Sequence, residues 1–207
     1  MIRLWGRTNS SNVMKVIWLL EELDLAYERI DAGGPFGRTA TAEYRAMQPL
    51  GLVPALDDAG FTLFESNAIL RYLCNAYAPG GTFYPAAAQI RAAVDAWLDF
   101  QQTALTQPQS IVFQGLVRTP AAARDNVAIS AAVAQAGKLW SLLDDRLKGQ
   151  AFLCGTTLTL ADIAFGVHVH RWFAMPIARP DSPHLHAWYG RLLQRPAFSA
   201  RVALPLS

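Results

Sequence analysis

The sequence predicts an α/β domain followed by an all-α domain, from the order of its apolar patterns and helix breakers. An apolar run at 2–5 predicts a strand, and apolar side chains then recur at helical spacing over 13–23. Residues 78–85 concentrate proline and glycine, which end helices. The helices predicted beyond them are 89–105, 121–147, 160–173 and 184–193. The predicted boundaries are 1–78 for the first domain, 79–87 for the linker and 88–207 for the second domain.

Composition and charge exclude several classes of partner. A formal net charge of +2 without a long Lys/Arg cluster argues against a nucleic-acid surface, so small molecules are the expected partners. The longest uncharged stretch, 100–117, contains Pro108 and several glutamines and is too polar to sit in a membrane. The N-terminus begins with a strand pattern rather than a leader, which predicts a cytoplasmic protein. A hydrophobic content of 52% predicts that a second copy covers apolar surface in a homodimer.

The cysteine and histidine residues predict neither a redox motif nor a metal site. Cys74 and Cys154 form no C-x-x-C pair and lie in apolar settings, which is typical of buried, unreactive thiols. His168 and His170 are two residues apart and therefore fall on different faces of a helix. No neighbouring Cys, Asp or Glu completes a ligand set, so no metal is expected.

The segment that contains Val53 and Pro54 is predicted to hold an extended ligand. A residue before proline is driven toward extended conformations, and an X-Pro bond adopts cis at modest cost. A kink there leaves the amide and carbonyl of Val53 facing a ligand strand. The apolar runs 55–56 and 61–63 flank a turn that contains Gly60, which predicts a β-hairpin directly after the kink.

Glu65 and Ser66 open the next apolar run of helical period. A helix start presents unpaired amides and a partial positive charge, so the Ser66 amide and hydroxyl are suited to a carboxylate. An ionised Glu65 only accepts hydrogen bonds and is suited to an ammonium group. The pair is therefore predicted to recognise both charged ends of one amino acid.

Together these segments resemble the soluble glutathione transferase family. Its thioredoxin-like first domain carries a V-P pair before a hairpin and an E-S-x-A-I run at the start of its third helix, and both occur here in that order. The resemblance covers essentially the whole chain and implies a thioredoxin-like domain followed by a helical bundle. It also implies glutathione as co-substrate and no permanently bound cofactor. Val53 would pair with the cysteinyl backbone, while Glu65 and Ser66 would hold the γ-glutamyl end.

The polar turn at 6–12 supplies the predicted chemistry. A free thiol with a pKa of about 8.5 is only a few per cent ionised near neutrality, and the thiolate is the nucleophile. Lowering that pKa by two units requires about 2.7 kcal/mol, and one hydrogen bond to a charged group supplies about 1.5 to 3. Ser10 falls where theta-like and zeta-like transferases keep a catalytic serine, and Asn12 where nu-like bacterial relatives keep an asparagine. Ser10 is the first choice, Asn12 its rival or helper, and Ser11 a weaker candidate.

The glycyl end of glutathione is the open part of the predicted site. Leu52, Val53 and Pro54 form the segment expected to line glutathione, but many relatives place a Lys, Gln or Arg at the first of these positions. A leucine side chain cannot bind a carboxylate, so another cation is needed or the carboxylate stays solvated. The candidates are Arg7, Lys15 and Arg38, together with Thr39 beside the last of them.

The resemblance also implies a pocket for a small hydrophobic electrophile in the helical domain. The residues predicted to line it are Phe100, Gln101, Phe113 and Trp172. Asp99 is a candidate to reach the glutathione ammonium across a dimer. Arg171 is a further candidate for the pocket, and for both Arg171 and Trp172 the alternative is core packing or surface exposure.

The run from Thr159 to Asp162 has capping-box spacing, with Asp in place of the commoner Glu or Gln. An isolated acid in an apolar helix is otherwise a candidate for catalysis. We predict that both residues serve folding, as the same motif does in the family.

The predicted function is a glutathione transferase that activates the thiolate for attack on a hydrophobic electrophile, typical of detoxification. One alternative is a nu-like glutathione-dependent disulfide-bond reductase, and another is a non-enzymatic module for glutathione binding or protein interaction. A glutathione-dependent isomerase or dehalogenase is a third possibility.

Overall fold

The computed structural model describes residues 1–207 and divides them into two compact units, Met1–Gly81 and Thr82–Ser207. The last helix of the first unit ends at Tyr77, and the first helix of the second begins at Ala88. None of the helices combines the length and the apolar character needed to cross a membrane.

A four-stranded mixed sheet forms the centre of the first unit. The strands are β1 (Ile2–Trp5), β2 (Tyr27–Ile30), β3 (Ala55–Asp58) and β4 (Phe61–Phe64). Their spatial order is β2-β1-β3-β4, with β1 parallel to β2 and antiparallel to β3, and β3 antiparallel to β4. The register places Trp5 opposite Ala55, and Ala55 opposite Phe64. The segments that follow β1, precede β3 and follow β4 therefore meet at one end of the sheet.

Three helices accompany this sheet: α1 (Ser11–Glu22), α2 (Ala42–Met47) and α3 (Ser66–Tyr77). Helix α1 connects the parallel strands β1 and β2, as a parallel pair requires. It is buried continuously from Val13 to Leu20, and this stretch includes Lys15, which is fully buried. The Lys15 Nζ donates to Asn67 Oδ1 of α3 at 3.4 Å. The spacing of the apolar residues predicted that α1 buries one face. In the structure, the stretch from Val13 to Leu20 is buried on every side of the helix.

The predicted hairpin is confirmed. Strands β3 and β4 are joined by Ala59 and Gly60, whose φ values of 52° and 96° are both positive. Two-residue hairpin loops favour positive φ because it matches the twist of the paired strands. The Gly60 amide donates to Asp57 Oδ1 at 2.8 Å, which closes the turn.

The second unit is helical, as predicted. Its helices are α4 (Ala88–Phe100), α5 (Thr106–Phe113), α6 (Asn126–Leu147), α7 (Leu160–Ala174), α8 (Pro183–Leu193) and α9 (Pro196–Arg201). Its core contains aromatic pairs, among them Trp140 against Phe165 and against Trp172, each with ring centroids 6.2 Å apart. The short helix α9 was not predicted, because six residues show too little periodicity.

Helix α5 was also not predicted, because its glutamines and proline obscure the apolar pattern. The chain stays helical from Ala88 to Arg118 through two π-helical segments, Gln101–Leu105 and Gln114–Arg118. Pro108 lies just after the first of them. Proline removes an amide donor from a helix, and a wider turn is one way in which the backbone accommodates such a defect.

The capping box at the start of α7 is confirmed. Asp162 is fully buried, and its carboxylate accepts from the amides of Leu153 and Thr159 and from Trp188 Nε1, each at 2.9 Å. The Thr159 hydroxyl donates to the same carboxylate at 3.1 Å. Burial raises the pKa of Asp162, and these hydrogen bonds oppose that rise. Every interaction of this carboxylate connects parts of the second unit, as a folding role requires.

Candidate active site

Val53 lies at the end of the sheet where three segments meet. The peptide bond between Val53 and Pro54 is cis, and the sheet ladder begins only at Ala55. The Val53 amide and carbonyl take part in none of the backbone hydrogen bonds of turns and loops. A Cβ on Gly33 would lie 3.1 Å from Val53 Cγ1, so the backbone of this turn approaches the Val53 side chain closely. Val53 thus presents a backbone suited to one further extended peptide.

The neighbouring Leu52 is held through its backbone. Tyr44 Oη donates to the Leu52 carbonyl at 2.6 Å, and burial raises the pKa of Tyr44 to about 12. The phenol therefore remains protonated and able to donate throughout the physiological range. The Leu52 side chain is 57% exposed and offers only an apolar surface. Tyr44 thereby fixes the backbone just before Val53.

Glu65 and Ser66 lie where β4 passes into α3. Glu65 is exposed, has a φ of 68° and makes no side-chain cap hydrogen bond. Such a left-handed conformation is uncommon for a residue with a side chain and is enriched at functional sites. Ser66 is 2% exposed, and its hydroxyl donates to Asn12 Oδ1 at 3.2 Å. The predicted γ-glutamyl contact and one of the predicted catalytic residues are therefore in direct contact.

Ser10 is the residue that precedes α1. Its backbone is extended, with φ −85° and ψ 126°, and its half-buried side chain makes no cap hydrogen bond. A serine in this position usually bonds to an amide of the first turn. The Ser10 hydroxyl is not used in this way, which leaves it to donate to a group placed at the helix start. This start lies on the turn after β1, at the same end of the sheet as Val53.

The three cations proposed to bind the glycyl carboxylate of glutathione differ in their burial and contacts. Lys15 is buried inside the unit, so it cannot serve a ligand at the surface. Arg38 is exposed at the loop before α2, with a φ of 68°. Arg7 packs against Gly34, where its Cδ lies 3.3 Å from the position of a Cβ, and its buried Nε has no hydrogen-bond partner. Thr39 lies beside Gly33, and its methyl carbon is 3.7 Å from where a Cβ on Gly33 would stand.

One more cation, Arg45, was not predicted. Its guanidinium lies 2.7 Å from where a Cβ on Gly51 would stand, so only glycine allows this approach. Arg45 Nη1 donates to the Pro49 carbonyl at 2.6 Å, and the Thr39 carbonyl also faces Gly51. This places a positive charge immediately before Leu52. No local sequence signal indicates the contact, because it depends on how the chain turns after α2.

The residues predicted to line an electrophile pocket all belong to the second unit. Gln101 is fully buried and its Nε2 lies 3.1 Å from His168 Nε2, while Trp172 is 1% exposed and stacks on Trp140. Both side chains are used in packing this unit. Phe100 is half-buried against Phe165, and Phe113 is 3% exposed beneath an arginine. Their role toward an electrophile stays a prediction.

Neither cysteine is placed at the start of α1. Burial raises the pKa of the Cys74 thiol to about 12 and also raises that of Cys154. A raised pKa keeps a thiol protonated and weakly nucleophilic. No group of three His, Cys, Asp or Glu side chains is positioned to hold a metal ion.

These features define a class of protein. A mixed four-stranded sheet carries, at one end, a cis X-Pro segment and two helix starts without side-chain caps, and a helical unit follows. This combination is that of the cytosolic glutathione transferases.

Comparisons with known proteins agree. The family model for the glutathione S-transferase N-terminal domain matches residues 1–75, and that for the C-terminal domain matches residues 122–191. The chain is 39% identical to glutathione S-transferase GstB of Escherichia coli K12, with all of both chains covered. It is 32% identical to glutathione S-transferase 3 of Zea mays, covering 99% of this chain and 95% of that one.

A solved structure of similar fold is the theta class glutathione S-transferase of Xanthomonas axonopodis pv. citri with glutathione bound. It superimposes with a TM-score of 0.95 and is 45% identical, covering 100% of this chain and 99% of that one. The chain therefore belongs to the glutathione S-transferase family. The predictions of a transferase and of a thioredoxin-like domain followed by a helical domain are confirmed.

Proposed function

We propose that this protein conjugates glutathione to small electrophiles, with the thiolate held at the start of α1. The observation that carries the proposal is the meeting of Val53, the Ser10 helix start and the Ser66 helix start at one end of the sheet. In the reaction the glutathione thiol releases its proton to solvent, and the sulfur attacks an electrophilic carbon. The new carbon–sulfur bond forms as the leaving group departs with its electron pair.

The γ-glutamyl end of glutathione binds at the start of α3. Its carboxylate accepts a hydrogen bond from the Ser66 amide at the positive end of the helix, and the Ser66 hydroxyl turns from Asn12 Oδ1 to donate to the same carboxylate. Its ammonium group meets the exposed carboxylate of Glu65, which the left-handed backbone places at the edge of the site. The cysteinyl backbone then pairs with the amide and carbonyl of Val53, which no turn or loop hydrogen bond uses.

The Ser10 hydroxyl donates to the thiolate. One charge-assisted hydrogen bond contributes about 1.5 to 3 kcal/mol, and the partial charge of the helix start adds up to about 1. Together they supply the roughly 2.7 kcal/mol that lowers a thiol pKa by two units. Ser10 fits this role because its side chain caps nothing.

The glycyl carboxylate lies near Arg38, Thr39 and Arg45, with Arg7 packed against Gly34 as a further cation. Arg45 is placed to supply the charge that Leu52 lacks, since its guanidinium packs on Gly51. Phe100 and Phe113 are the proposed apolar contacts of the electrophile. Glutathione is the co-substrate, and no permanently bound cofactor takes part.

Reduction of glutathione mixed disulfides is a second candidate, and the contact between Ser66 and Asn12 favours it. Because Asn12 Oδ1 accepts the Ser66 hydroxyl, the amide nitrogen of Asn12 is left to donate to a sulfur atom. In that reaction one thiolate attacks a disulfide sulfur and the other sulfur leaves as a thiolate. Asn12 rather than Ser10 would then govern turnover.

A cytoplasmic homodimer with a role in detoxification is the proposed setting. Phe61 is 50% exposed, Phe64 37% and Tyr77 43%, all on β4 and α3. An aromatic surface of this kind on a small unit is typical of a face covered by a partner. Size-exclusion chromatography with light scattering measures the oligomeric state.

The deciding experiment compares Ser10→Ala with the matched variant Ser11→Ala. We expect Ser10→Ala to lower kcat/KM for a chloronitroaromatic by about tenfold to a hundredfold and to raise the pKa of bound glutathione thiol, since one charge-assisted bond is lost. Ser11→Ala is expected to stay within about threefold of wild type on the same grounds. Undiminished turnover in Ser10→Ala would show that Ser10 does not stabilise the thiolate and would assign that role to Asn12. Tight glutathione binding without any turnover would indicate a binding module.

A further inference from the structure

Four polar side chains join the starts of α1 and α3 inside the first unit. Asn12 and Lys15 lie three positions apart on α1, which places them on one face of that helix. Asn12 Oδ1 accepts from the Ser66 hydroxyl at 3.2 Å, and Lys15 Nζ donates to Asn67 Oδ1 at 3.4 Å. We call these four side chains the polar cluster.

Lys15 is the member of the polar cluster that costs the most to bury. Its side chain is fully buried, and Asn67 is only 7% exposed. Taking the amino group of a lysine out of water costs free energy that an apolar side chain of similar size does not cost. Stability alone therefore favours an apolar side chain at this position, such as those of the adjacent Met14 and Val16.

The contact of Lys15 leads to the start of α3. Asn67 directly follows Ser66, whose amide and hydroxyl are the proposed donors to the γ-glutamyl carboxylate. Glu65, which precedes Ser66, has a φ of 68° and makes no side-chain cap hydrogen bond. This helix start is therefore not held by a cap of its own. The hydrogen bond from Lys15 connects it to α1 instead.

From this arrangement we infer that Lys15 is a positioning residue for glutathione. Its Nζ holds Asn67, and through Asn67 it fixes the backbone that presents the Ser66 amide to the γ-glutamyl carboxylate. Lys15 itself does not touch the ligand, because its side chain is buried inside the unit. A site gains affinity when its donors are already held in the geometry of the bound state. The positioning role rests on the proposed function, because it concerns the same glutamyl contact.

Isothermal titration calorimetry with S-methylglutathione tests this role on the full chain. The probe has no free thiol, so its affinity depends neither on the thiolate nor on turnover. The matched probe is 4-aminobutanoyl-S-methylcysteinylglycine, which lacks only the γ-glutamyl carboxylate. We expect Lys15→Met to weaken binding of S-methylglutathione by about fivefold, within the range for coupled neighbours, and binding of the matched probe by less than about twofold. Lys15→Leu serves the same comparison if the Met variant fails to fold.

The double variant Lys15→Met/Asn67→Leu separates positioning from packing. In Lys15→Met the buried Asn67 oxygen loses a donor, so the urea midpoint should fall. Apolar side chains at both positions should restore the midpoint to the wild-type value or above. The affinity for S-methylglutathione should nevertheless stay about fivefold below wild type, because nothing then holds the start of α3. Recovery of the affinity together with the stability would overturn the inference.

Trp18→Phe is the matched control on the same helix. Trp18 is also fully buried, and its Nε1 donates to Glu22 Oε1 at 2.8 Å, well beyond the first turn of α1. We expect this variant to be less stable than wild type but to bind S-methylglutathione with an affinity within about twofold of it. An equal loss of affinity in Trp18→Phe and Lys15→Met would show that any defect in α1 has this effect, and would overturn the inference.

Turnover distinguishes a failure of the positioning role from a failure of the proposed function. Binding of S-methylglutathione by a wild type that does not conjugate a chloronitroaromatic would count against the transferase proposal, and the binding comparison would still decide the role of Lys15. Equal affinities of wild type and Lys15→Met for S-methylglutathione, or an equal loss for both probes, would overturn the inference whatever the turnover.

Discussion

Helix α7 of the second unit and helices α1 and α3 of the first begin in opposite ways. At the start of α7, Asp162 receives hydrogen bonds from two backbone amides, one hydroxyl and one indole of its own unit. The starts of α1 and α3 have no side-chain cap at Ser10 and Glu65. Helix starts always leave amides to be satisfied. A start that the protein satisfies itself stabilises the fold, whereas an open start at the surface is available to a ligand.

We call a helix start closed when the protein itself satisfies its backbone amides and open when it has no side-chain cap. The first prediction concerns the closed start of α7 and has the largest expected effect on stability. Asp162→Ala removes the acceptor of three buried donors, the amides of Leu153 and Thr159 and the Trp188 indole. Each unsatisfied buried donor costs about 1 to 3 kcal/mol, so we expect the free energy of unfolding to fall by about 3 to 5 kcal/mol. Urea unfolding measures this loss. The folded fraction should keep its specific activity.

Asp125→Ala is the matched control for this variant. Asp125 is exposed and caps α6 with one hydrogen bond to the Ala128 amide at 2.9 Å. Its loss is expected to cost about 1 kcal/mol, as for an ordinary cap. A wild-type stability of Asp162→Ala combined with lost turnover would show that Asp162 is catalytic and that the contrast between the helix starts is wrong.

The second prediction concerns an open start. Ser66→Ala removes one proposed donor to the glutamyl carboxylate and the contact with Asn12 Oδ1. Loss of a hydrogen bond to a charged group is worth about 1.5 to 3 kcal/mol, so KM for glutathione should rise by about tenfold or more. Steady-state kinetics at varied glutathione concentration measures it.

Thr41→Ala sharpens the same comparison within the first unit. Thr41 precedes α2 and its hydroxyl oxygen accepts from the Tyr44 amide at 3.2 Å, so this helix start is closed. We expect it to lower stability by about 1 kcal/mol and to change KM for glutathione by less than about threefold. A larger effect on KM in Thr41→Ala than in Ser66→Ala would reverse our assignment of the open and closed starts.

The third prediction is the smallest and tests whether pH acts on the packing of the second unit. His170 Nδ1 lies 2.9 Å from Tyr189 Oη, and Nε2 lies 2.8 Å from the Leu204 carbonyl. Burial lowers the pKa of His170 below its ordinary value of 6.5, the nearby Arg171 charge acts in the same direction, and the hydrogen bond with the Leu204 carbonyl opposes both. Between pH 6.5 and the lower folded pKa, the unfolded chain binds more protons. Stability therefore decreases as pH falls through this window.

Thermal melts at pH 7.5 and 5.5 measure the effect. In His170→Gln, the decrease in Tm on acidification should be smaller than in wild type by about 1 to 3 °C. Identical decreases in wild type and His170→Gln would exclude His170 as the source.

Local sequence patterns were sufficient for much of the fold. The β3–β4 hairpin, helix α7 and its capping box each depend on residues within a few positions of one another, and each was predicted. Helix α5 was not, because Pro108 and the surrounding glutamines contradict its helical pattern. Lys15 was a candidate for a ligand carboxylate, yet it lies inside the unit. Periodicity identifies one buried face but does not show that α3 covers another.

The sequence by itself determined the family, the two-part architecture and the starts of α1, α3 and α7, because turn residues, proline and apolar spacing act over a few residues. Only the tertiary structure decided how these places are used. In the structure the Ser10 hydroxyl makes no cap hydrogen bond to α1. Asn12 and Ser66, which are 54 residues apart in the sequence, form a hydrogen bond, and Arg45 packs on Gly51. Such contacts depend on strand register and on the close approach of distant backbones, and no local propensity encodes either of them.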